Sequence, residues 1–352
     1  MKITFVTSTL TSGGSERVMS ILANGLCKNN HQVEILCLNK HLVYYSVDER
    51  IKIFFIEEET KGGGLLKKII WLRKHVKESQ PDVVIPFMEA VYCVTLLSLI
   101  GLPIPVISSE RIDPRKSPFL RNILRCIFLP LTTHLVVQTN DIKSYYPSFI
   151  QKKTAIIYNP VEEKMLEEWH EQKLDRIINV GRLYPQKNQK MLIDAFAEIC
   201  NEFPSYQLYI FGDGPERPKL EQQITDRNLT DRVFLPGRSS EIAKELAKSN
   251  LFCLSSDYEG MSNAVIEALC IGLPVISTDV SGTKELIHTE NGIVVGINDK
   301  KSMVNALKSL LANPQRMNEM SRANRNISHQ FKKEEITLQW EKLIEKIVAK
   351  HL

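Results

Sequence analysis

The chain has 352 residues, 43% of them hydrophobic and 24% charged, with a net charge of +4. This is an ordinary globular composition with length enough for two domains. So small a charge argues against a nucleic-acid partner, and no apolar run is long enough to span a bilayer. The seven cysteines are scattered, odd in number and form no Cys-x-x-Cys pair, which argues for a reducing cytosol and against a zinc site. Met1 to Val6 does not read as a signal peptide.

Lys2 to Ser8 reads as a buried strand that passes through Gly13 and Gly14 into a helix from about Val18 to Lys28. The glycine pair removes side-chain bulk, so backbone N–H groups can approach an anion there. A simple tight turn is the plainer alternative, and the lack of Gly-x-Gly-x-x-Gly excludes a dinucleotide fingerprint. Further strands are predicted at Val33 to Leu38, Ile51 to Ile56, Val83 to Phe87, Val106 to Ser109 and His134 to Gln138, with helical patterns between most of them. Such alternation predicts an α/β fold built on a parallel, doubly wound sheet. Arg111 follows a strand, at the sheet edge where ligands bind. It is a candidate phosphate ligand, or else the partner of Asp113 in a surface pair.

Within the first half, Lys61-Gly62-Gly63-Gly64 reads as a hinge before a helix running to Lys77. Leu65, Ile69, Leu72 and Val76 fall on one stripe, expected to face the sheet. Lys67, Trp71 and Lys74 share another face, expected to point outward. A Trp among lysines suits a membrane interface with anionic lipid; an ordinary amphipathic helix with a half-buried Trp71 is the alternative.

Glu162 to Lys173 is charged and reads as a linker, and a second strand–helix series starts at Arg176. The strand at Ile177 to Val180 runs into Gly181 and Arg182, with Lys187 five residues on. A forked cation and a point charge together suit a diphosphate. Leu208 to Phe211 leads to a turn at Gly212, and Val233 to Leu235 leads to Gly237 and Arg238. Leu251 to Leu254 reads as a buried strand, followed by Ser255-Ser256-Asp257-Tyr258-Glu259-Gly260-Met261-Ser262-Asn263 and a helix from Ala264. Ser262 and Asn263 are capping residues, and the helix start behind them is attractive to phosphate. Glu259 and Glu267 flank that spot, and carboxylates accept hydrogen bonds from sugar hydroxyls rather than hold phosphate. The set therefore points to a nucleotide sugar, against the plainer reading of a capped helix with solvated glutamates. Pro274 to Asp279 and Ile293 to Val295 continue the strands. Glu334 to Leu352 closes the chain as an amphipathic helix with Ile336, Trp340, Leu343, Ile344 and Ile347 on its apolar face.

Glu259-x7-Glu267 with Gly260-Met261-Ser262-Asn263 between resembles the donor motif of the retaining family 4 glycosyltransferases, which have the GT-B fold. Gly13-Gly14-Ser15-Glu16-Arg17, Gly181-Arg182 with Lys187-Asn188, and Asn159-Pro160 match the same family in order, so the resemblance covers essentially the whole chain. It implies two Rossmann-like domains with a cleft between them: an acceptor domain at residues 1–165 with the last helix, about 335–352, crossing back onto it, and a donor domain at residues 174–334. It implies that Glu259 contacts the transferred sugar and that Glu267 holds the ribose. The backbone at Met261, Ser262 and Asn263 would hold the distal phosphate, with Gly260 beside them in the donor site and Arg182 and Lys187 on the diphosphate. Gly14, Gly212, Gly237 and Arg238 would complete the donor site, and Ser15, Glu16, Arg17 and Arg111 would lie on the acceptor side. Lys67, Trp71 and Lys74 resemble the basic helix with which a transferase of bacterial N-glycosylation grips a polyprenyl-pyrophosphate acceptor.

The expected activity is transfer of a hexose from a UDP-sugar to an undecaprenyl-pyrophosphate-linked saccharide, with retention by front-face attack. The expected place is the anionic, cytoplasmic face of the inner membrane. There is no Asp-x-Asp to hold a metal on the diphosphate, so neither metal nor other cofactor is expected. The family often carries a His after the strand ending at Phe87, where this chain has Met88-Glu89. No nucleophile or general base is assigned; Glu16 and Glu89 are the carboxylates nearest to that role. Two other classes remain open. One is a related enzyme such as an epimerase, acting on donor alone; the other is a two-lobed sugar-binding protein without catalysis.

Overall fold

Short apolar runs separated by glycine turns and amphipathic helices fold here as two parallel sheets. The computed structural model describes residues 1–167 and 174–351; the last six residues of the expected linker, 168–173, lie outside them. The chain divides into two compact units, Met1–Pro160 with Lys333–Leu352, and Val161–Lys332.

The first unit carries β1 (Lys2–Thr7), β2 (Gln32–Cys37), β3 (Lys52–Phe55), β4 (Val83–Pro86), β5 (Ile107–Ser109), β6 (His134–Val137) and β7 (Thr154–Ile156). They pair in the orders β3-β2-β1-β4 and β5-β6-β7. Parallel bridges Val84 to Val106 and Phe87 to Ser109 join the two runs. Phe5, Ile35 and Ile85 lie in register and are fully buried, as parallel strands covered on both faces require. The strand expected at Ile51 to Ile56 stops at Phe55, because Ile56 turns inward to open a short helix, Ile56–Glu59.

The helix Lys333–Val348 packs on this unit. Ile336, Trp340 and Ile344 are fully buried, and the Trp340 ring stacks on Phe87 with centroids 6.1 Å apart. It also crosses the helix Gly14–Lys28 closely. A Cβ at Gly25 would meet Thr337 Oγ1 at 2.5 Å, so glycine there sets the spacing between the helices.

The helix Leu65–Ser79 turns differently from expectation. Leu72 and Val76 are buried, but Leu65 is 57% exposed. Trp71 does not stand outward with the lysines: it is half-buried, stacked on His75 at 4.7 Å and tilted against Phe54 at 6.4 Å. His75, one turn on, shares its face and reaches Glu34 Oε2 at 3.4 Å, which rotates that side toward the sheet. Lys67 and Lys74 are exposed.

The second unit carries β8 (Arg176–Val180), β9 (Gln207–Phe211), β10 (Val233–Gly237), β11 (Leu251–Leu254), β12 (Val275–Thr278) and β13 (Gly292–Val295). All are parallel, in the order β10-β9-β8-β11-β12-β13. From β8 the chain builds outward to β10, then returns to lay β11 on the other side. The order therefore reverses between β8 and β11, the position at which open α/β sheets bind ligands beyond their strand ends.

Candidate active site

The loops leaving β8 and β11 meet at that reversal. Gly181 and Arg182 follow β8, and Pro185–Lys187 makes one tight turn. Asn188 takes a left-handed conformation (φ 45°) and caps the helix Gln189–Ile199 through its side chain. The loop after β11 is laced to this turn. Gln186 donates to the Tyr258 carbonyl at 2.7 Å, Ser255 to the Lys187 carbonyl at 2.8 Å, and Asn188 to Asp257 Oδ1 at 2.8 Å. The main chain adds Asp257 N–H to the Gln186 carbonyl at 2.8 Å. Four hydrogen bonds thus tie the two loops into one surface.

On that surface Lys187 Nζ donates to Glu259 Oε1 at 2.5 Å. Ser256 Oγ donates to the same oxygen at 2.7 Å. Glu259 is 9% exposed, so its carboxylate is held in one orientation. Ser262 caps the helix Asn263–Ile271 by accepting from Val265 N–H. The helix start therefore presents ordered N–H groups beside the Lys187–Glu259 pair, a setting favourable to negative charge. Gly260 and Met261 are buried, Asn263 is half-buried, and Glu267 lies inward at 3% exposure. Arg182 is exposed, its guanidinium 5.0 Å from the Tyr184 ring, and forms no ion pair among the described residues.

The turns after β9 and β10 border this surface. Gly212 has φ +139°, and a Cβ there would lie 1.9 Å from the Gly181 carbonyl oxygen. Only glycine lets β9 end so close to the β8 turn. Gly212 N–H donates to the Gly237 carbonyl at 2.8 Å, and Arg238 is exposed beyond it. Arg217, which the sequence did not mark, braces these turns. It donates to the carbonyls of Gly212 at 3.2 Å and Leu235 at 3.1 Å, and to Asp213 Oδ1 at 3.0 Å. Arg217 and the Gly214 N–H hold the Asp213 carboxyl below the usual carboxylate range. The only signal was Arg217 following the Gly212-Asp213-Gly214 turn. Nothing in the sequence pointed to the partners that Gln186, Asn188 and Ser255 lace to, since these lie about seventy positions away.

In the first unit, Gly13 caps the helix Gly14–Lys28. The Glu16 carboxylate folds back over it, accepting from Ser15 Oγ at 2.6 Å and Thr9 Oγ1 at 3.4 Å. A Cβ on Gly13 would meet that carboxylate at 2.1 Å. Gly13 thus makes room for the chain's own anion. Arg17 is half-buried in the same turn.

Arg111 is neither an open phosphate ligand nor the partner of Asp113. It is 7% exposed, donates to Asn159 Oδ1 at 2.7 Å, and lies over the rings of Phe87 (4.7 Å) and Trp340 (5.8 Å). Burial pushes its pKa down to about 9. Asp113 instead takes Arg115 at 2.8 Å. Glu89 is also buried, with Arg125 Nη2 at 3.1 Å; burial raises its pKa against the pull of Arg125, and an enclosed, ion-paired carboxylate is poorly placed to act as a base. Met88 before it sits at φ +75°, an uncommon conformation for a long side chain. Among the described residues no group of three or more His, Cys, Asp or Glu is arranged to hold a metal ion.

Comparison with known proteins gives concordant results. Residues 12–164 match the family model described as Glycosyltransferase Family 4, and residues 161–327 match Glycosyl transferases group 1. The chain is 30% identical, over 99% of its length and 99% of the relative's, to a Campylobacter jejuni protein. That relative is named GalNAc-alpha-(1->4)-GalNAc-alpha-(1->3)-diNAcBac-PP-undecaprenol alpha-1,4-N-acetyl-D-galactosaminyltransferase. In fold this chain is similar to a sucrose-phosphate synthase from Thermosynechococcus elongatus (TM-score 0.85, 18% identity, 99% of each chain). It is also similar to the Anabaena protein HepE, solved in complex with UDP and glucose (TM-score 0.83, 17% identity, 98% of this chain and 99% of that one).

Proposed function

The chain belongs to the group 1, family 4 glycosyltransferases, and from that membership we propose that it transfers a hexose from a UDP-sugar to a saccharide carried on a polyprenyl diphosphate. The observation that carries this reading is the Lys187–Glu259 pair at the strand-order reversal of the second unit, beside the Ser262-capped helix. A nucleotide sugar has a diphosphate with a sugar on each side. Lys187 has three N–H donors and spends one on Glu259, which leaves donors for a phosphate oxygen. Arg182 adds a forked cation, and the helix N–H groups take the distal phosphate. Glu259, held by Lys187 and Ser256, accepts from hydroxyls of the transferred sugar. Glu267 accepts from the ribose.

During transfer the bond from the anomeric carbon to the diphosphate breaks, the acceptor hydroxyl oxygen bonds to that carbon, and the hydroxyl proton passes to the departing diphosphate. Negative charge grows on the leaving UDP, and Arg182, Lys187 and the helix start are fixed where it grows, so no reorganisation is needed at that moment. We read the step as metal-independent because these groups supply the positive charge. Ser15, Glu16 and Arg17 are assigned to the acceptor side, and Gly14 to the donor site.

UDP is carried over from the Anabaena complex. The lipid-linked acceptor is carried over from the printed name of the Campylobacter relative. No helix among the described residues is long and apolar enough to cross a membrane, so a lipid-borne acceptor would be met at the bilayer surface, with exposed Lys67 and Lys74 as headgroup contacts. The test is a screen of nucleotide sugars against polyprenyl-diphosphate saccharides, read by product mass. A mass gain of one hexosyl or N-acetylhexosaminyl group, with release of UDP, supports the reading. Conversion of donor with no acceptor present, or no transfer to any such acceptor, contradicts it.

A further inference from the structure

The helix Phe119–Phe128 faces the wrong way for a soluble protein. Its apolar side chains Phe119, Leu120, Ile123, Leu124 and Ile127 recur at helical spacing on one face, and that face points outward. Their exposures are 81%, 67%, 39%, 37% and 57%, and Leu131 just beyond is 52% exposed. The side chain that the helix buries is a charge, Arg125, at 2%.

The inversion is held by a closed polar network. Arg125 donates to Glu110 Oε2 at 3.2 Å, Glu89 Oε2 at 3.1 Å, Ser117 Oγ at 3.0 Å and the Tyr92 hydroxyl at 3.2 Å. Tyr92 and Tyr146 donate to the same Glu110 oxygen at 3.0 and 3.1 Å. Turning the helix to bury its apolar face would withdraw Arg125 and leave the buried carboxylates of Glu89 and Glu110 without their cation, so the network locks the rotation. Contiguous apolar surface kept outward at such cost marks an interaction site.

Charge selects the partner. Between Asp113 and Asp141 the chain has no acidic residue, but carries Arg115, Lys116, Arg121 and Arg125. Arg115 is neutralised by Asp113 and Asp141. Lys116 and Arg121 are exposed and form no ion pair among the described residues. An apolar stripe edged by unpaired cations matches an anionic bilayer: side chains enter the acyl boundary while the cations stay at the headgroups. A second copy of the chain fits poorly. The stripe is about 15 Å long, short for a stable protein interface, and the same segment of a second copy has no acidic residue between Asp113 and Asp141 to meet Lys116 and Arg121.

We propose that the Phe119–Phe128 helix is the membrane-docking element of this enzyme, seated in an anionic lipid surface through Phe119, Leu120, Ile123 and Ile127 with Lys116 and Arg121 at the headgroups. It rests on the reading of a lipid-borne acceptor for its purpose, but not for its test. Full-length protein is floated with phosphatidylcholine vesicles with and without phosphatidylglycerol, alongside a Phe119→Gln, Leu120→Gln, Ile123→Gln variant and an Arg121→Gln, Lys116→Gln variant. Wild type should float with the anionic vesicles and lose binding as salt rises. The apolar variant should bind at least about tenfold more weakly, and the charge variant should lose the preference for phosphatidylglycerol. Both should keep turnover on a short-chain, water-soluble acceptor. Wild type left unbound, or variants floating as well as wild type, overturns the proposal. So does a wild-type dimer that the apolar variant makes monomeric, which would assign the face to self-association. Flotation as described without turnover of any acceptor keeps the docking helix and overturns the acceptor reading instead.

Discussion

Lys187 and Glu259 lie 2.5 Å apart, yet they are assigned to different parts of the donor. That division is testable because Glu267 offers a contrast on the same helix. Glu259 is fixed by Lys187 and Ser256 at the helix entrance; Glu267 lies deeper, at 3% exposure. Replacing Glu259 with Ala is expected to lower kcat far more than UDP affinity. Replacing Glu267 with Ala is expected to weaken UDP itself by about 1–3 kcal/mol, the range for losing one buried acceptor. Steady-state transfer rates and UDP titration of both variants check this, and equal losses of UDP affinity would contradict it. At this scale the sequence was informative where a residue follows its own strand closely: Gly181, Arg182 and Gly212 sit at strand ends, and Glu259 lies in the loop that leaves β11. It was silent on what locks them, since Ser255 to Lys187 and Asn188 to Asp257 are contacts between loops whose strands become neighbours only through the order of the sheet. Arg111 shows the limit of the same logic. It does follow a strand, but its guanidinium turns inward onto Phe87 and Asn159.

Among the elements, the last helix was the easiest to foresee. Ile336, Trp340, Ile344 and Ile347 repeat at helical spacing, and all four are buried against the first unit. Trp340→Ala should therefore cost about 3–5 kcal/mol, the usual loss for deleting a buried aromatic, measured by urea unfolding. A loss below about 1 kcal/mol would contradict the packing described. The three-residue strand β7 went unforeseen because so short a run beside Asn159-Pro160 reads as a turn. Facing was also illegible where polar partners outrank the apolar pattern. Trp71 turns inward with His75, which reaches Glu34, and the Phe119–Phe128 helix turns outward because Arg125 finds Glu89 and Glu110. Periodicity fixes that a helix has two faces; which one is buried depends on residues elsewhere in the chain.

For the molecule as a whole, the alternation of strands and helices was enough for two doubly wound sheets, and the missing Asp-x-Asp shaped the expectation that transfer proceeds without metal. Chelator should leave the transfer rate within about twofold, because the positive charge on the leaving group comes from side chains and a helix start. A large loss restored by magnesium or manganese would refute this. The central claim is that UDP is held by Arg182 and Lys187 at the strand-order reversal of the second unit. Calorimetric titration of UDP into wild type and into an Arg182→Ala, Lys187→Ala double variant tests it most directly. The account predicts a measurable wild-type affinity that falls by at least about 1.5–3 kcal/mol, the worth of one charged hydrogen bond, with the fold intact by circular dichroism. An unchanged UDP affinity in the folded double variant would contradict it.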